Sequence, residues 1–564
     1  MRTLSKRSTA LSLLLFLLGT VALADNSKIS PDLQPLLANP SNSINVIVQY
    51  NAPATTTGGG LLGGLIGTTV NLLGGVLKTV FSLIPAVSAT LHPSDVIAVS
   101  NQPNVAYISL DRQLGGLLDY SAGAVNASTA WSSGLDGTGV GIAVIDSGIY
   151  SHPDLNGKNS NQSRVVYRQS FIGGTLADDF GHGTHVAGIV AGNGNASDKP
   201  GAFRTFKGIA PNANLIDLRV LDKNGASNDS IVIAALQQAV QLKQKYNIRV
   251  INLSLGRPIF ESCTHDPLCK AVEAAWNSGI VVVVAAGNDG RNGYGTVLSP
   301  GNSPHAVTVG AMKTEFTITR NDDLIASYSS RGPTYIDLTA KPDVVAPGNL
   351  VDSLLAPGST LVADYPSNVV PTSAYTTSNA PASPLYFQLS GTSMATPVVS
   401  GAAALLIEKD PSLTPDTIKA RLMKTASKKF PLTSVAYDPT TGQAYTDTYD
   451  MFTVGAGYVD IAAALADYDQ AYLPALSPQL YYNSLLRTAF VVVNPLSAWF
   501  LSSNLSLATV WGPQVLQNEA AGTAVWGSAA SWGTAASWGT AASWGTAASW
   551  GTAASWGTST QGEK

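Results

Sequence analysis

The stretch Gly391-Thr392-Ser393-Met394-Ala395-Thr396-Pro397 leads into a run of small and apolar residues that ends near Ile407. This run has no polar face, which is typical of a helix buried on all sides. Pro397 suits a helix start, because the N–H that proline lacks is little needed in the first turn. A buried helix beginning near Ser393 directs its positive end at a hydroxyl. The stretch therefore predicts either an ordinary Ser/Thr cap or a serine placed to handle a developing anion.

Around this helix, from about Ala124 to Ala464, short apolar runs alternate with helical patterns. The apolar runs are Gly141–Ile145, Leu215–Leu221, Val250–Leu255, Ile280–Ala286 and His305–Val309, and helical patterns span Ser230–Tyr246 and Lys270–Ser278. Continuous apolar strands that alternate with helices predict an α/β fold with a predominantly parallel sheet covered by helices on both faces. Functional residues of such a fold are expected at the carboxyl ends of the strands.

The composition narrows the class of protein. The chain has 564 residues, which is enough for two or three domains and a large core. Charged residues make up 12% and the formal net charge is −4. A nucleic-acid-binding protein would carry a basic patch, so no nucleic-acid partner is expected.

The N-terminus has the pattern of a secretory signal peptide over residues 1–24. Arg2, Lys6 and Arg7 precede an apolar run, Leu11–Leu18, and Ala22-Leu23-Ala24 follows as a cleavage site. The run is too short for a transmembrane anchor. We therefore expect a secreted, extracellular protein.

Two cysteines, Cys263 and Cys269, stand six residues apart. In an exported protein this spacing favours a small-loop disulfide. A metal site that also uses His265 is the alternative, although two thiols and one imidazole make a weak signature.

Residues 25–118 have the pattern of a separate small unit. Ile44–Tyr50 alternates apolar and polar residues as a half-buried strand does, and Val105–Leu110 is a second strand-like run. The apolar stretch Gly58–Leu91 lies between them. It is either a membrane-active segment or, as we expect from its glycines and Pro85, a helix packed on the small sheet.

The C-terminal part has no clear structural pattern. Residues 467–524 form an extension that we cannot assign, and residues 525–564 are a repeat of six-residue Trp-Gly units. The repeated tryptophans are Trp526, Trp532, Trp538, Trp544, Trp550 and Trp556. In an extended chain they fall on one face, which predicts contact with a cell surface or polysaccharide. A flexible low-complexity tail explains the repeat equally well.

Three polar residues join Ser393 as candidates for chemistry. Asp146 follows the strand Gly141–Ile145, His182 opens an apolar helix, and Asn288 follows the strand Ile280–Ala286. Taken singly, they have ordinary explanations as a cap, a surface imidazole and a turn residue. The order Asp, His, Asn, Ser, with each residue at a strand end or helix start, places all four at one edge of the sheet.

The segments around these residues resemble the signature blocks of the subtilisin-like serine peptidases, the subtilases. The blocks are Val144–Ile149, Gly181–Ile189, Ile251–Gly256, Ala285–Asp289 and Gly391–Pro397. The resemblance covers roughly residues 120–465 and implies a peptidase domain over 119–466. Residues 25–118 resemble, more loosely, the inhibitory prodomain of the same enzymes, which implies a small α+β ferredoxin-like unit that acts as an intramolecular inhibitor.

The resemblance implies a role for each candidate. Ser393 is the expected nucleophile, His182 its general base, and Asp146 the carboxylate that orients the imidazole. Asn288 is the expected side-chain donor to the oxyanion. The implied activity is that of a self-processing serine endopeptidase that works through an acyl-enzyme and needs no cofactor for catalysis.

Substrate binding is also implied by the resemblance. The expected peptide-binding residues are Ser254, Leu255 and Gly256, which pair with an extended substrate, and Ala285, Ala286 and Gly287, which floor the specificity pocket. No acidic cluster lies near these blocks, so we expect broad, apolar-leaning specificity toward protein and peptide substrates.

Two further expectations concern calcium and maturation. Asp154 matches a position that ligates structural Ca²⁺ in many subtilases, with a turn carboxylate as the alternative. Processing is expected between about Arg112 and Ser121, with Leu114–Leu118 extended in the cleft as a product would be.

Two other functions fit parts of the sequence. One is an adhesive surface protein with an inactive peptidase domain and a functional Trp repeat, and the other is a processing peptidase with few substrates. All four positions of the constellation are filled, which favours an active enzyme.

Overall fold

The computed structural model describes residues 26–30, 33–38, 43–51, 76–81, 85–111, 117–157, 160–377, 383–438, 442–483, 488–501, 503–512 and 563. The predicted signal peptide and, except for Glu563, the predicted Trp repeat lie outside the described residues. The chain divides near residue 114 into two compact units.

The first unit is a four-stranded antiparallel sheet with the order β2-β3-β1-β4. Its elements are β1 (Ile44–Tyr50), β2 (Val76–Val80), β3 (Ala86–Leu91), helix α1 (Pro93–Ser100) and β4 (Val105–Leu110). Both predicted strands of this unit are confirmed. A separate apolar core, which includes Val46, Val48, Val96 and Ile108, lies between the sheet and the helix.

The helix expected within Gly58–Leu91 is wrong where the structure describes that stretch, because residues 76–80 and 86–91 are strands. Valine and threonine are frequent there, and β-branched side chains favour strands. Val87, Ala89 and Leu91 are fully buried and lie on one face of β3. Residues 52–75 lie outside the described part of the chain. The ferredoxin-like arrangement of this unit stays a prediction.

The second unit contains a central sheet and its covering helices. Its strands are β5 (Gly141–Asp146), β6 (Val165–Ser170), β7 (Asn214–Arg219), β8 (Ile248–Leu253), β9 (Val281–Ala285), β10 (Val307–Lys313), β11 (Leu324–Ile325), β12 (Val344–Pro347), β13 (Val351–Leu354), β14 (Val369–Val370), β15 (Tyr386–Leu389), β16 (Thr433–Tyr437), β17 (Ala444–Thr448), β18 (Gln479–Asn483) and β19 (Thr488–Val492). Its helices are α2 (Leu117–Ala124), α3 (Ala127–Ser132), α4 (His182–Ala191), α5 (Asp229–Tyr246), α6 (Pro267–Asn277), α7 (Thr360–Asp364), α8 (Thr392–Lys409), α9 (Pro415–Thr425), α10 (Ile461–Ala466), α11 (Ala498–Leu501) and α12 (Leu507–Trp511).

The central sheet runs in the order β11-β10-β9-β8-β5-β7-β6, and β12 also pairs with β10. All pairs are parallel except β10 with β11. The predicted α/β fold with a predominantly parallel sheet is therefore confirmed. The five apolar runs identified in the sequence each overlap one of its strands, because strands buried on both faces carry continuous apolar residues.

Helix α8 lies at the centre of the second unit. It packs against β8, β9, β10 and β12 and also against α4. Every residue from Thr392 to Ile407 is buried, as its apolar composition predicted. Because its first turn is held from all sides, the position of Ser393 is set by the core.

Two further features complete the fold. Leu117 and Leu118 begin helix α2, so the expectation that they are extended is wrong; Leu114–Gly116 lie outside the described residues. Residues 479–483 and 488–492 form an antiparallel hairpin, and Trp499 and Trp511 are buried in the same core as the central sheet.

Within the described ranges, no helix has the length and apolar character needed to cross a membrane.

Candidate active site

Four candidate residues lie at the starts and ends of elements of the second unit. Asp146 is the last residue of β5, and Asn288 follows three residues after β9. His182 is the first residue of α4, and Ser393 is the second residue of α8. Helix α4 packs against α8, and Asp146 and Asn288 lie at the carboxyl ends of parallel strands, which is where functional residues of such a sheet are expected.

Asp146 and His182 form a buried pair. Asp146 Oδ1 lies 2.8 Å from His182 Nδ1, and the two side chains are 1% and 2% exposed. Burial alone would lower the pKa of His182, but the charge and hydrogen bond of Asp146 outweigh it, so the pKa lies above the usual value. His182 Nε2 is buried and finds no hydrogen-bond partner among the described residues. Nε2 can therefore accept a proton, and the resulting cation is stabilised by Asp146.

Asp178 is a second buried carboxylate beside His182, which the sequence analysis did not identify. Its oxygens accept hydrogen bonds from Ser147 Oγ (2.8 Å), Gly181 N (2.7 Å) and Thr184 N (2.8 Å). Burial raises the pKa of Asp178. The side chain thus fixes the first turn of α4 and contributes negative charge near His182. A carboxylate four residues before the histidine is the signal that was available.

His185 lies one turn further along α4 and has a structural role. Its Nε2 lies 3.1 Å from Val351 O and 3.0 Å from Phe387 O, so Nε2 carries the proton and donates. Burial and the neighbouring His182 lower the pKa of His185 to about 3. It therefore stays neutral and ties α4 to β13 and β15.

Ser393 is held by an exchange of hydrogen bonds with Ser254. Pro397 is the sixth residue of α8, so it lies beyond the first turn where we had placed it. Its missing N–H would have bonded to Ser393 O in a regular helix. Ser254 Oγ donates to that carbonyl instead, at 2.9 Å. In return Ser393 Oγ donates to Ser254 O at 3.2 Å, a long and weak bond.

The amide of Asn288 has a defined orientation. Its Oδ1 accepts from Thr392 N at 2.9 Å and from Thr392 Oγ1 at 3.1 Å. A backbone N–H can only donate, so the oxygen must face Thr392 and the nitrogen must face away. Asn288 Nδ2 is buried and without a hydrogen-bond partner among the described residues. The side chain thus offers a free donor beside Ser393. Thr392, which the sequence analysis missed, sets this orientation.

The residues predicted to bind substrate lie around the same segment. Leu255 and Gly256 are partly exposed, whereas Ser254 and the run Ala285–Gly287 are buried. Gly287 has a φ of 111°, and a Cβ there would lie 2.8 Å from Leu298 Cγ, so a larger residue is excluded. Leu298 also lies against Gly256 and adds an apolar side chain that the sequence analysis did not include.

Asp154, the predicted calcium ligand, is fully buried. Its Oδ1 accepts from Ala196 N at 2.6 Å and its Oδ2 from Tyr386 Oη at 2.8 Å. Both oxygens are thus used by protein donors, and this environment does not fit a cation. Across the described residues, no three His, Cys, Asp or Glu side chains converge as a metal site requires. Calcium binding stays a prediction.

The predicted disulfide is confirmed, since Cys263 and Cys269 are bonded with their Cα atoms 5.3 Å apart. The bridge closes a short loop at the start of α6. His265 in that loop is exposed, and its Nδ1 lies 3.1 Å from Thr264 Oγ1. The alternative metal site at these cysteines is therefore wrong.

The parallel α/β fold, the buried carboxylate–histidine pair and the serine at a helix start define the class of a serine hydrolase. Residues 137–457 match the family described as the subtilase family, and this match covers more than half of the chain. The chain belongs to the subtilase family and is a subtilisin-like serine endopeptidase.

Similar proteins support this assignment. The chain is 37% identical over 358 residues to serine protease AprX of Bacillus subtilis (strain 168), covering 62% of this chain and 76% of that protein. It is 34% identical over 355 residues to subtilisin E of the same strain, covering 62% and 77%. Alkaline protease of Alkalihalobacillus alcalophilus is 34% identical over 352 residues, covering 62% and 75%.

Proposed function

We propose that this chain is a secreted serine endopeptidase, made as a self-processing zymogen, that uses Ser393, His182, Asp146 and Asn288. The observation that carries the proposal is the complementary pair of free atoms at the helix starts. His182 Nε2 can accept a proton, and Asn288 Nδ2 can donate one, and neither has another partner among the described residues. Other buried nitrogens, such as His185 Nδ1, also lack a partner, so the support comes from the combination of the two atoms. His182 is oriented by Asp146 as a proton acceptor, and Asn288 is oriented by Thr392 as a donor.

In the proposed reaction, Ser393 Oγ attacks the carbonyl carbon of the scissile peptide bond and its proton passes to His182 Nε2. The long bond from Ser393 Oγ to Ser254 O is then lost at small cost. His182 gives the proton to the leaving amine as the C–N bond breaks, leaving an acyl-enzyme. Water, deprotonated by His182, hydrolyses the ester and restores the serine. Asp146 keeps Nδ1 protonated and stabilises the cation in both steps.

The negative charge that develops on the carbonyl oxygen needs donors already in place. Asn288 Nδ2 supplies one, because Thr392 holds the amide oxygen in the opposite direction. The backbone N–H of Ser393 supplies the other, at the positive end of α8. Such donors need no reorganisation when the charge appears, which is why they lower the barrier.

For substrates, we propose broad specificity with an apolar preference. Gly256, Gly287 and Leu298 lie together, and Ala285 and Ala286 add small apolar side chains. An apolar residue before the scissile bond fits this composition, whereas none of these five described residues carries a charge that would pair with lysine or arginine. Leu255 and Gly256 are proposed to pair with the extended peptide backbone. Cleavage of a peptide library after basic residues alone would contradict this specificity.

The remaining parts of the proposal rest on the sequence pattern. The N-terminal signal-like segment supports export, and residues 25–118 are proposed as an inhibitory prodomain that is removed by self-cleavage. A structural calcium ion is implied by the resemblance to subtilases, with ligands still to be found. The Trp repeat is proposed to contact a cell surface or polysaccharide.

Expression with export of the wild type and of Ser393→Ala, side by side, tests the central proposal. The wild type is expected to lose residues up to about 118 and to hydrolyse casein, whereas Ser393→Ala keeps its full mass and is inactive. Ser412→Ala, a change at an exposed serine in the same unit, serves as the matched control. A Ser393→Ala chain that matures and hydrolyses casein unaided would refute the mechanism. Activity on casein also separates a broad peptidase from a processing enzyme with few substrates.

A further inference from the structure

Glu563 lies in a closed pocket of the second unit, although no catalytic role involves it. Its side chain is buried, with the residue 2% exposed. A buried carboxylate is costly unless it is paired and hydrogen-bonded. The pocket therefore has to supply both charge and donors, and its residues come from four separate segments.

The pocket recognises the carboxylate through charged and neutral donors. Arg291 Nη2 lies 2.9 Å from Glu563 Oε1, and Ser327 N donates to Oε2 at 3.0 Å. Ser327 Oγ donates to Oε1, and Lys313 Nζ lies 4.0 Å from Oε2. Arg291 is itself fixed, because its Nε donates to Ser327 Oγ at 3.0 Å and its other nitrogen pairs with Asp438. Each carboxylate oxygen thus has at least one hydrogen-bond donor.

The pocket also recognises the backbone of the same residue. Asn349 Nδ2 donates to Glu563 O at 2.8 Å, and Glu563 N donates to Asn349 Oδ1 at 3.0 Å. This reciprocal pair satisfies both main-chain groups of one residue, as a neighbouring β-strand would. The pocket thus binds both the carboxylate and the main chain of one acidic residue, whereas a surface ion pair involves the side-chain charge alone.

The walls of the pocket adjoin the catalytic segments. Arg291 lies in the turn Gly290–Asn292, directly after Asn288 and Asp289. Asn349 follows Gly348, whose carbonyl accepts from Gly391 N at 2.8 Å. The pocket is thus part of the folded peptidase framework, and it is preformed by residues that the structure uses elsewhere.

We propose that this pocket is a binding site for an acidic residue in an extended chain, and that its occupant is Glu563 of the same chain. The segment 513–562, which contains the Trp repeat, is then attached to the second unit at both ends. One end is helix α12, which packs against α9, and the other is Glu563.

A double-mutant cycle in the full chain with Ser393→Ala, which prevents self-digestion, tests the contact. Glu563→Gln is expected to lower the melting temperature by about 2 °C or more, because Arg291 and Lys313 lose the negative charge of Glu563 although Arg291 keeps Asp438. The same change in an Arg291→Met background is expected to lower it by less than half as much. Glu519→Gln, the same change within the same tail, is the matched control and should leave the melting temperature unchanged. Equal effects of Glu563→Gln in both backgrounds would overturn the proposal.

A second measurement does not depend on the stability of the Arg291 variant. The probe is a peptide with the sequence of residues 561–564, acetylated and amidated, added to the full Ser393→Ala chain that carries Glu563→Gln. We expect it to raise the melting temperature of this chain and to have less effect on the chain with Glu563, whose pocket is filled. A peptide with Gln in place of Glu is expected to have no effect. Equal shifts with the Glu and Gln peptides would contradict a carboxylate-specific pocket. Because both tests use an inactive chain, their outcome is independent of the proposed catalytic function.

Discussion

Helices α4 and α8 pack against each other, yet their starts are capped by groups of different charge. At α4 the carboxylate of Asp178 accepts from Gly181 N and Thr184 N. At α8 the neutral amide of Asn288 accepts from Thr392 N. Both caps satisfy N–H groups that a helix start leaves open. A carboxylate also cancels the positive charge of the helix end, whereas an amide leaves it in place.

The difference matches the charge that each helix start has to handle. In the proposed mechanism His182, at α4, becomes a cation, and Asp146 and Asp178 both favour that cation. At α8 the substrate oxygen becomes an anion, and a carboxylate there would oppose it. The two caps therefore show that local charge, and not helix stability alone, distinguishes the two starts.

Removing the charge that stabilises the cation at α4 is expected to have the largest effect. Asp146→Asn should lower kcat by about 10⁴, because the amide favours the wrong tautomer of His182 and does not stabilise its protonated form. Loss of the negative charge also lowers the pKa of His182, so the acid limb of the residual kcat/KM profile should move to lower pH. Stopped assays on a chromogenic peptide over a pH series measure both effects. Unchanged kcat would rule out His182 as the base oriented by Asp146.

Replacing the oxyanion donor Asn288 at the start of α8 is expected to have the next largest effect. Asn288→Ala should lower kcat by about 10²–10³ with little change in KM, the loss typical of one oxyanion donor. Above neutral pH, Asn288→Asp should have a lower kcat than Asn288→Ala, because an ionised carboxylate repels the developing anion. The two variants differ in charge but lack the same donor, so each is the control for the other. Equal kcat of both variants at high pH would contradict the proposal that a negative charge at the start of α8 opposes the developing anion.

Neutralising the second carboxylate at α4 should have a smaller effect. Asp178→Asn keeps a side chain that can accept from Gly181 N but removes a negative charge near His182. Asp146 and Asp178 both raise the pKa of His182, so the acid limb of kcat/KM is expected to move to lower pH, by less than in Asp146→Asn. Asp179→Asn, at the neighbouring half-exposed carboxylate, is the control. A shift to higher pH would show that Asp178 does not act on His182 through its charge.

The smallest expected effect comes from removing the hydrogen bond that Ser254 Oγ donates to Ser393 O in the first turn of α8. Ser254→Ala removes the donor to Ser393 O, and Pro397 cannot replace it. We expect a loss of about 1 kcal/mol in the free energy of unfolding, the usual net value of one buried hydrogen bond. Restoring the helical N–H with Pro397→Ala in the same chain should recover part of this loss. Urea unfolding of the Ser393→Ala background measures these differences, and no recovery in the double variant would contradict the assigned exchange.

The central sheet could be predicted because its strands depend on local signals, and the pair of Asp146 and His182 could be predicted from the resemblance to subtilases. An apolar run of the length of one strand predicts where the strand lies and which residue follows it, without information from distant parts of the chain. The strands Val76–Val80 and Ala86–Leu91 could not be predicted in the same way, because glycine-rich apolar segments suit several structures. The structure is decided by pairing, since Ala86–Leu91 pairs with the distant strand β1 and Val76–Val80 pairs with Ala86–Leu91.

The details of the site depend on contacts between distant segments. The orientation of Asn288 is set by Thr392, 104 residues later. The carbonyl of Ser393, which Pro397 leaves without its helical donor, accepts a hydrogen bond from Ser254, 139 residues earlier. No local pattern reports such a contact. Asp178 was missed for a related reason, because its position four residues before His182 does not show that its side chain is buried beside the imidazole.

The packing of Trp499 and Trp511 has a consequence for solubility. The family match ends at residue 457, but these two rings lie 5.4 Å apart in the main core and are 3% and 1% exposed. A chain cut back to residue 466 would uncover the apolar surface that they and their neighbours now cover. Such a surface favours aggregation over a clean monomeric peptidase domain. Trimming to residue 512 keeps both rings and avoids that exposure.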